Sequence, residues 1–252
     1  MLYALLGDIH ANLPALQAVL ADVAQSRAAP LHLGDLVGYA PWPNEVVQTI
    51  TTAGIAGLSG NYDSTVATGY KHCGCKYEDP RQEALSHESY AWTLQNTNAA
   101  SKRILAALPF RLDVRPLGGH VSGPRLVLFH GTPLNNLTYW TQDRPDDFCR
   151  KMASEVAAAP GDVLAFGHTH IPWHRVVDGV HFVNAGSVGR PKDGDWRACY
   201  ALVDMDGDAV RVEFRRVQYD VESAARAIEA SSLPNDFADY LRSGGKLSPA
   251  RT

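Results

Sequence analysis

The sequence predicts an α/β fold, in which short buried strands are followed by polar loops and helices. Five apolar runs, at residues 2–6, 31–33, 55–58, 126–129 and 163–166, each end in polar side chains. Continuous apolar runs of this length are typical of strands that are buried on both faces. A chain of 252 residues with 45% hydrophobic residues can bury a large core within one domain.

The first half of the chain predicts two strand–loop–helix units and a further strand. Between the strands, apolar side chains recur at the spacing of one helix face. Pro14 lies in the first turn of the first helix, where its missing N–H group costs no hydrogen bond. The predicted elements are, in chain order, strand 2–6, a helix from Leu13 to Val23, strand 31–33, a helix that carries Val46, Val47 and Ile50 and stops near Gly54, and strand 55–58.

Residues 64–80 contain several glycines and the triplet Cys73-Gly74-Cys75, without a clear periodicity. We therefore expect an irregular loop with free thiols. A further metal or redox site that also uses His72 is the alternative. A Cys-x-Cys pair alone, however, lacks the well-spaced partners that such a site requires.

The rest of the chain predicts helices first and then strands. Residues 81–107 indicate one or two helices, with Ser101 as the N-cap of the second and Pro109 after its end. The later predicted elements are strands 110–115, 125–129, 162–166, 173–177, 180–183, 198–204 and 209–217, with helices around 145–158 and 221–230. We expect a single domain over residues 1–241 and a flexible C-terminal tail over residues 242–252.

Charge and composition argue against several classes of partner. The formal net charge is −4, and no run of Lys or Arg is longer than Arg215-Arg216, so extended nucleic acid and anionic membranes are not expected partners. The N-terminus reads as a first strand and not as a signal, and no apolar stretch is long enough to span a bilayer. Four irregularly spaced cysteines favour a cytoplasmic, reducing compartment. The oligomeric state is not determined by the sequence.

The polar side chains that follow the apolar runs are of types that bind metal ions. Because parallel strands present their carboxyl ends along one edge of a sheet, residues distant in sequence can converge there. Carboxylate and amide oxygens mixed with imidazoles suit Mn, Fe, Zn or Ni ions better than Ca or Mg alone. The candidate metal ligands are Asp8, His10, Asp35, Asn61, His130, His168 and His170.

The motifs around these residues resemble those of the calcineurin-like metallophosphoesterase superfamily, in its small bacterial and archaeal members. The resemblance covers most of the chain and implies a four-layer αββα sandwich of two packed mixed β-sheets flanked by helices. The segment from Asn184 to Pro191 is similar to the Asn-Pro-Gly-Ser segment of such members, with Ala185 where proline is usual. The motifs are Asp8-x-His10, Gly34-Asp35, Gly60-Asn61-x-Asp63, His130-Gly131 and Gly167-His168-x-His170.

The resemblance also implies two divalent transition-metal ions, among which Mn is favoured over Fe, Zn and Ni. The implied ligands are Asp8, His10 and His170 for one ion, Asn61, His130 and His168 for the other, and Asp35 as the bridge between them. Ions placed in this way would hold the phosphate and lower the pKa of a bridging water. The expected nucleophile is therefore a metal-bridging hydroxide that attacks phosphorus in line.

Tyr62 departs from the family pattern. Many members carry a histidine there, which protonates the leaving oxygen and is oriented by the acidic residue that follows, here Asp63. A phenol, with an ordinary pKa of about 10, is a weaker proton donor at neutral pH than an imidazolium. Tyr62 would instead donate a hydrogen bond to phosphate or simply pack, and Asp63 would fix the loop. The predicted catalytic residues are Asp35, Asn61, Tyr62, Asp63 and His130.

Arg190 and Tyr62 are the predicted contacts to substrate. The Arg190 guanidinium suits phosphate and follows a glycine-rich turn, although a surface ion pair with Asp193 or Asp195 is the alternative. We predict a phosphoesterase for a small phosphorylated compound, with a phosphodiester or phosphoanhydride favoured over a monoester, since Tyr62 favours leaving groups that need little protonation. The alternatives are a protein serine/threonine phosphatase or a nuclease on the same metal centre, and a non-catalytic binding module with the same fold.

Overall fold

We describe the chain in a computed structural model, over residues 1–77, 79–115, 123–206 and 209–246. The strands in these ranges are β1 (Leu2–Leu6), β2 (Ala29–His32), β3 (Ala56–Gly57), β4 (Arg111–Val114), β5 (Leu126–Phe129), β6 (Val163–Phe166), β7 (Trp173–Val177), β8 (Val180–Asn184), β9 (Ala198–Asp206) and β10 (Ala209–Val217). The helices there are α1 (Leu13–Ser26), α2 (Pro43–Thr52), α3 (Asn61–Thr68), α4 (Pro80–Asn96), α5 (Ala99–Ala106), α6 (Asp146–Glu155), α7 (Val221–Glu229) and α8 (Asp236–Ser243).

The strands of the described residues form two five-stranded sheets. The strand order is β10-β9-β1-β2-β3 in the first sheet and β4-β5-β6-β8-β7 in the second. In the first sheet β1, β2 and β3 are parallel, and in the second β5, β6 and β8 are parallel. The remaining strands pair with their neighbours in the antiparallel direction. Both sheets are therefore mixed, and the parallel strands of each sheet end at the same edge.

Alternate side chains of the buried strands face different cores. On β1, Tyr3 and Leu5 lie in the core between the two sheets, whereas Ala4 and Leu6 pack against the helices on the outer face of the first sheet. The side chains of β5 alternate in the same way between the inter-sheet core and a third core, which contains Met152 of α6. The layers are therefore helix, sheet, sheet and helix, and the predicted four-layer α/β architecture is confirmed.

The segment predicted to be an irregular loop, residues 64–80, begins in a helix. Helix α3 ends at Thr68, and Gly69, whose φ is 68°, is its left-handed C-cap. The prediction was wrong for residues 64–68 because α3 is short and buries mainly polar side chains beside the ligand position, so it has no apolar periodicity to detect. Residues 70–77 contain no helix or strand, as expected.

Two further predictions about helices need correction. The N-cap of α5 is Asn98 and not Ser101, because the Asn98 side-chain oxygen accepts a hydrogen bond from the Ser101 N–H at 2.8 Å. Helix α8 was not predicted, since the glycines and proline around it obscure its short apolar face. The last two residues of α8 overlap the segment 242–252 that was expected to be a tail, of which residues 247–252 lie outside the described residues.

The remaining predictions concern the cysteines, membrane-spanning segments and the domain boundary. The four cysteines are free thiols, as predicted for Cys73 and Cys75. Among the helices in the described ranges, none is both long enough and apolar enough to cross a membrane. The domain boundary at residue 241 stays a prediction.

Candidate metal centre

The predicted ligands meet at one edge of the two sheets, where the parallel strands end. The loops after β1 and β2 belong to the first sheet, and those after β5 and β6 belong to the second. A hydrogen bond from the His168 N–H to Asp8 Oδ2, at 2.9 Å, ties the two sheets together at this edge. The residues contributed are Asp8 and His10 after β1, Asp35 after β2, Asn61 after β3, His130 after β5, and His168 and His170 after β6.

The backbone at these loops turns sharply. The φ angles are 51° for Asp8, 48° for His10, 52° for Asp35, 67° for His168 and 63° for His170. Left-handed backbone costs a non-glycine residue roughly 1–2 kcal/mol and persists where its surroundings fix it, often at functional sites. Neighbouring glycines leave room for the ligands, because a Cβ atom on Gly60 would lie 2.0 Å from Asp35 Oδ1, and one on Gly167 would lie 2.3 Å from Asp8 Oδ2.

Asp8, His10 and His170 form the first group of candidate ligands. All three are buried, and their ligand atoms lie within 4.8 Å of one another. His170 Nε2 is 3.4 Å from Asp8 Oδ1 and 3.2 Å from His10 Nε2. Ligands that are each about 2 Å from a common ion are expected to be separated by about 3 Å. The spacing of this group is therefore suitable for one ion.

Asp35, His130 and His168 form the second group, whose ligand atoms also lie within 4.8 Å of one another. Asp35 Oδ2 is 3.4 Å from His130 Nε2 and 3.7 Å from His10 Nε2 of the first group. Asn61 joins the second group, since its Oδ1 lies 3.1 Å from His130 Nε2. One carboxylate oxygen of Asp35 therefore lies between the two groups, where a bridging ligand is required.

Backbone carbonyl groups hold three of the imidazoles with Nε2 turned toward the centre. The contacts join His10 Nδ1 to the Val37 oxygen at 3.0 Å, His130 Nδ1 to the Leu33 oxygen at 2.8 Å, and His170 Nδ1 to the Arg190 oxygen at 2.6 Å. A ring that donates from Nδ1 keeps the lone pair of Nε2 free to bind a metal ion. The second nitrogen of each ring thus sets the orientation that ligation needs.

Two buried polar atoms of the centre, Asp8 Oδ1 and His168 Nε2, have no hydrogen-bond partner within the described residues. A buried polar atom without a partner costs about 1–3 kcal/mol, and more when it is charged. An ion in each group would satisfy both atoms. The residues present therefore fit two divalent ions, one for each group.

Burial controls the charge of the histidines. It lowers the pKa of His10 and of His168 to about 3, and it lowers the pKa of His170 well below the ordinary value. These three rings are neutral at pH 7 and ready to ligate. Burial acts in the same direction on His130, but the Asp35 carboxylate outweighs it and raises the pKa of His130 to about 9. In the metal-free protein His130 therefore carries a proton that an ion must displace.

Asn61 is oriented by the loop that follows α3. Its Nδ2 donates to the Cys73 carbonyl oxygen at 3.0 Å and to Cys75 Sγ at 3.3 Å. These contacts turn Oδ1 toward His130. The irregular segment that contains the two cysteines thus helps to position a candidate ligand.

Asp63 lies behind the centre and contacts the backbone. Its Oδ1 accepts a hydrogen bond from the Leu36 N–H at 2.8 Å, and its Oδ2 accepts one from the Gly60 N–H at 3.0 Å. Asp63 therefore ties the start of α3 to the loop that carries Asp35. The geometry agrees with the predicted function of fixing this loop.

Tyr62 lies beside the first group, with its ring centroid 5.5 Å from that of His10. Its hydroxyl is buried, has no hydrogen-bond partner within the described residues, and has a pKa that burial raises well above 10. Such a hydroxyl keeps its proton and can donate a hydrogen bond, but it is a weak general acid.

Arg190 is buried and does not lie on the surface. Its guanidinium stacks over the rings of Tyr39, at 3.9 Å, and Tyr240, at 4.1 Å, which are cation–π distances. The two aspartates predicted as alternative partners of Arg190 pair with other arginines. The prediction of a surface ion pair is therefore wrong.

The segment that includes Arg190 also supports the ligand loops. Ser187 Oγ donates to the Asp8 carbonyl oxygen at 2.7 Å and accepts from the Arg190 N–H at 2.8 Å. Asn184 Nδ2 donates to the Gly167 carbonyl oxygen at 2.7 Å. These residues hold the loops of both ligand groups against each other.

The site opens into a small cavity of about 240 Å³. We call the seven candidate ligands the cavity floor and the other lining residues the cavity wall. The wall consists of Tyr39, Tyr62, Cys75, Tyr77, Tyr139 and Lys192. Sequence reasoning missed Tyr77, Tyr139 and Lys192, because none of them follows a buried strand directly. The sequence offered one indication of these residues, since Lys192 directly follows the Asn184–Pro191 motif.

Comparison with known proteins gives one family and several relatives. The family model described as the calcineurin-like phosphoesterase superfamily domain matches residues 1–208. An uncharacterised protein of Methanocaldococcus jannaschii is 27% identical over 262 residues, which cover 94% of this chain and 96% of that protein.

Solved structures are also similar to this chain. A metallophosphoesterase from Sphaerobacter thermophilus has a TM-score of 0.75 and 26% identity, with coverage of 97% of this chain and 99% of that one. A hypothetical protein from Pyrococcus horikoshii has a TM-score of 0.80 and 23% identity, with the same coverage, and shows the fold alone. Both likenesses extend past residue 208 into the C-terminal helices.

Proposed function

Because the chain belongs to the calcineurin-like phosphoesterase superfamily and is a metal-dependent phosphoric ester hydrolase, we propose that it hydrolyses a small phosphorylated compound with two bound metal ions. The observation that carries this proposal is the pair of buried ligand groups with an Asp35 oxygen between them. A centre of this kind suits a phosphoryl group, whose oxygens can be held by both ions at once.

Each side chain of the floor has a defined part in this proposal. Asp8, His10 and His170 would hold one ion, Asn61, His130 and His168 would hold the other, and Asp35 would bridge them. When bound, the ions would supply Lewis acidity that polarises the phosphate and lowers the pKa of the attacking water. The neutral Nε2 atoms of His10, His168 and His170 need no deprotonation before they ligate. We propose Mn as the ion at both positions. We also propose that the protein is cytoplasmic.

The wall supports a preference for substrates with good leaving groups. The Tyr62 hydroxyl can donate a hydrogen bond to a phosphate oxygen, but its raised pKa makes it a poor source of a proton for the leaving oxygen. Phosphodiesters and phosphoanhydrides with leaving groups of low pKa are therefore the favoured substrates. The cavity is small and is lined by four tyrosines, which favours a small compound over a peptide or a nucleic acid.

The test is a screen of purified, Mn-reconstituted protein against phosphomonoesters, phosphodiesters and phosphoanhydrides. Turnover of a diester or anhydride that depends on added Mn, and that is absent in Asp35→Asn, is the expected result. Turnover confined to phosphopeptides would instead indicate a protein serine/threonine phosphatase, and turnover confined to DNA and RNA would indicate a nuclease. Protein that binds two ions but hydrolyses none of these compounds would indicate a binding module.

A further inference from the structure

Lys192 is the one lysine among the residues that line the described cavity. It lies in the loop after β8, two positions beyond Arg190, and it is half-buried. The cavity surface near it includes Asp35, His168 and His170 of the floor. A lysine in this place brings a positive charge to the open side of the proposed metal centre.

The charges around Lys192 bear on the state of its ammonium group. Within the described residues it forms no ion pair, since the neighbouring Asp193 pairs with Arg216 and Asp195 pairs with Arg197. Burial and the charge of Arg190 lower the pKa of Lys192 to about 8. The side chain therefore still carries its charge at pH 7, and the carboxylates of Asp8 and Asp35 on the floor attract it.

The backbone of Lys192 is held in place by the C-terminal end of the described chain. The Gly194 N–H donates to the Gly244 carbonyl oxygen at 2.8 Å, just after α8. Gly245 has a φ of 112°, and a Cβ atom on it would lie 2.5 Å from Lys192 Cα. The close approach of this glycine places the backbone that follows α8 against Lys192.

Arg190 is less suited to meet the substrate than its sequence position suggests. Its guanidinium is held between Tyr39 and Tyr240, and it is not among the residues that line the cavity. Arg190 thus positions Tyr39, whereas Lys192 offers three donors and a point charge toward the cavity.

We propose that Lys192 binds a non-bridging oxygen of the phosphate and favours substrates whose phosphate carries two negative charges over those that carry one. This inference rests on the proposed function, because it places the phosphate on the cavity floor. An ammonium group gains more Coulomb energy from a dianion than from a monoanion at the same distance. Among aryl esters, which need little proton transfer, Lys192 would thus act against the preference for diesters that follows from Tyr62 and would shift selectivity toward the monoester.

The primary test measures binding of inorganic phosphate to Mn-loaded protein by titration calorimetry. Lys192→Met, which keeps an unbranched side chain, is expected to raise the Kd by at least ~10-fold, since a hydrogen bond to a charged group contributes about 1.5–3 kcal/mol. Lys192→Arg is expected to stay within ~3-fold of wild type. Lys151→Met removes an exposed lysine of α6 and is the matched control. Metal content and melting temperature are measured for every variant.

A second measurement tests the selectivity with one leaving group. The kcat/KM of Lys192→Met should fall ~10-fold more for p-nitrophenyl phosphate than for bis-p-nitrophenyl phosphate. An unchanged phosphate Kd in Lys192→Met, an equal loss in Lys192→Arg, or wild-type protein that binds no phosphate would overturn the inference. If phosphate binding depends on Lys192 but no ester is hydrolysed, the proposed function fails, and of the inference only the contact of Lys192 with phosphate stands.

Discussion

The cavity floor and the cavity wall of this protein are built in different ways. Every floor residue lies within four residues of the end of a strand. Backbone hydrogen bonds join the loops there, such as those from the Asp8 N–H to the Gly34 oxygen and from the His10 N–H to the Asp35 oxygen. Most of the wall comes from loops, since Tyr39 precedes α2, Tyr77 precedes α4, Tyr139 precedes α6 and Lys192 follows β8, whereas Tyr62 lies in the first turn of α3. The difference indicates that the sheets determine the positions of the candidate metal ligands. The shape of the cavity depends more on the loops between elements, which can vary without changing the sheets.

The two regions also differ in their electrostatics. The floor contains carboxylates, imidazoles and an amide, and a bound ion would replace the proton that His130 carries there. The wall contains phenols that stay neutral at pH 7, because burial raises the pKa of Tyr39 to about 12 and that of Tyr62 well above 10. Changes in the floor should therefore abolish metal binding, whereas changes in the wall should alter rate and selectivity.

The largest effect is expected from Asp35→Asn, which removes the charge between the two ligand groups but keeps the shape of the side chain. We expect turnover to fall by at least ~10³-fold and the affinity for both ions to weaken, because a bridging ligand serves both. Metal titration and steady-state rates measure this. Asp147→Asn, at an exposed position of α6, is the control. Wild-type turnover by Asp35→Asn with two bound ions would contradict the assignment of the floor.

The next effect is a dependence of metal affinity on pH. The pKa of His130 is raised from 6.5 to about 9 in the metal-free protein, so Mn must displace a proton at lower pH. The affinity of the second group should rise about tenfold per pH unit between pH 7 and 8.5, with release of a proton that calorimetry in different buffers can count.

The same shift has a consequence for stability. Because the pKa is raised, the ion pair of His130 with Asp35 stabilises the metal-free protein fully below pH 6.5, and this contribution is lost as pH rises through about 9.

The control for the calorimetric experiment is a pair of histidine variants. His130→Gln should remove the part of the proton release on Mn binding that comes from His130, whereas His87→Gln, at an exposed position, should not change the release. Equal proton release by wild type and His130→Gln would show that another group carries the proton.

A smaller effect is expected in the wall, from Tyr62→His. An imidazole would restore the proton donor that many family members have, so hydrolysis of esters with poor leaving groups should rise by roughly 10-fold, while p-nitrophenyl esters change little. Tyr62→Phe keeps the ring and tests the hydroxyl alone. The measurement is the dependence of rate on leaving-group pKa. A wild-type rate that is indifferent to this pKa, with chemistry rate-limiting, would point to a proton donor elsewhere.

An effect of similar size is expected behind the floor, from Ser187→Ala. Loss of the hydrogen bond from Ser187 Oγ to the Asp8 carbonyl oxygen should weaken metal binding by about 10-fold, the lower end of the range for residues that orient ligands. Ser154→Ala, on the exposed face of α6, should leave metal binding unchanged. An unaffected Mn affinity in Ser187→Ala would show that the sheets alone hold the Asp8 loop.

Much of the floor could be predicted before the structure was known. The apolar runs mark strands buried on both faces, and chain direction places their carboxyl ends together, so the positions of Asp8, Asp35 and His130 at one edge follow from local patterns. The burial of Arg190 could not be predicted, because it depends on Tyr240 of α8, which lies 50 residues away in the chain. Helix α3 was missed for a related reason, since its buried face is polar.

The order of the strands and of the helices other than α3 and α8, the set of ligand residue types and their positions at strand ends were contained in the amino-acid sequence, because short-range periodicity and chain direction are local properties. The folded chain alone decided the distances between ligand atoms, the raised pKa of His130, the backbone contacts of Asp63 and the approach of Lys192 to the cavity. These features arise from burial and from contacts between segments far apart in sequence, and no local pattern encodes the energy of such contacts.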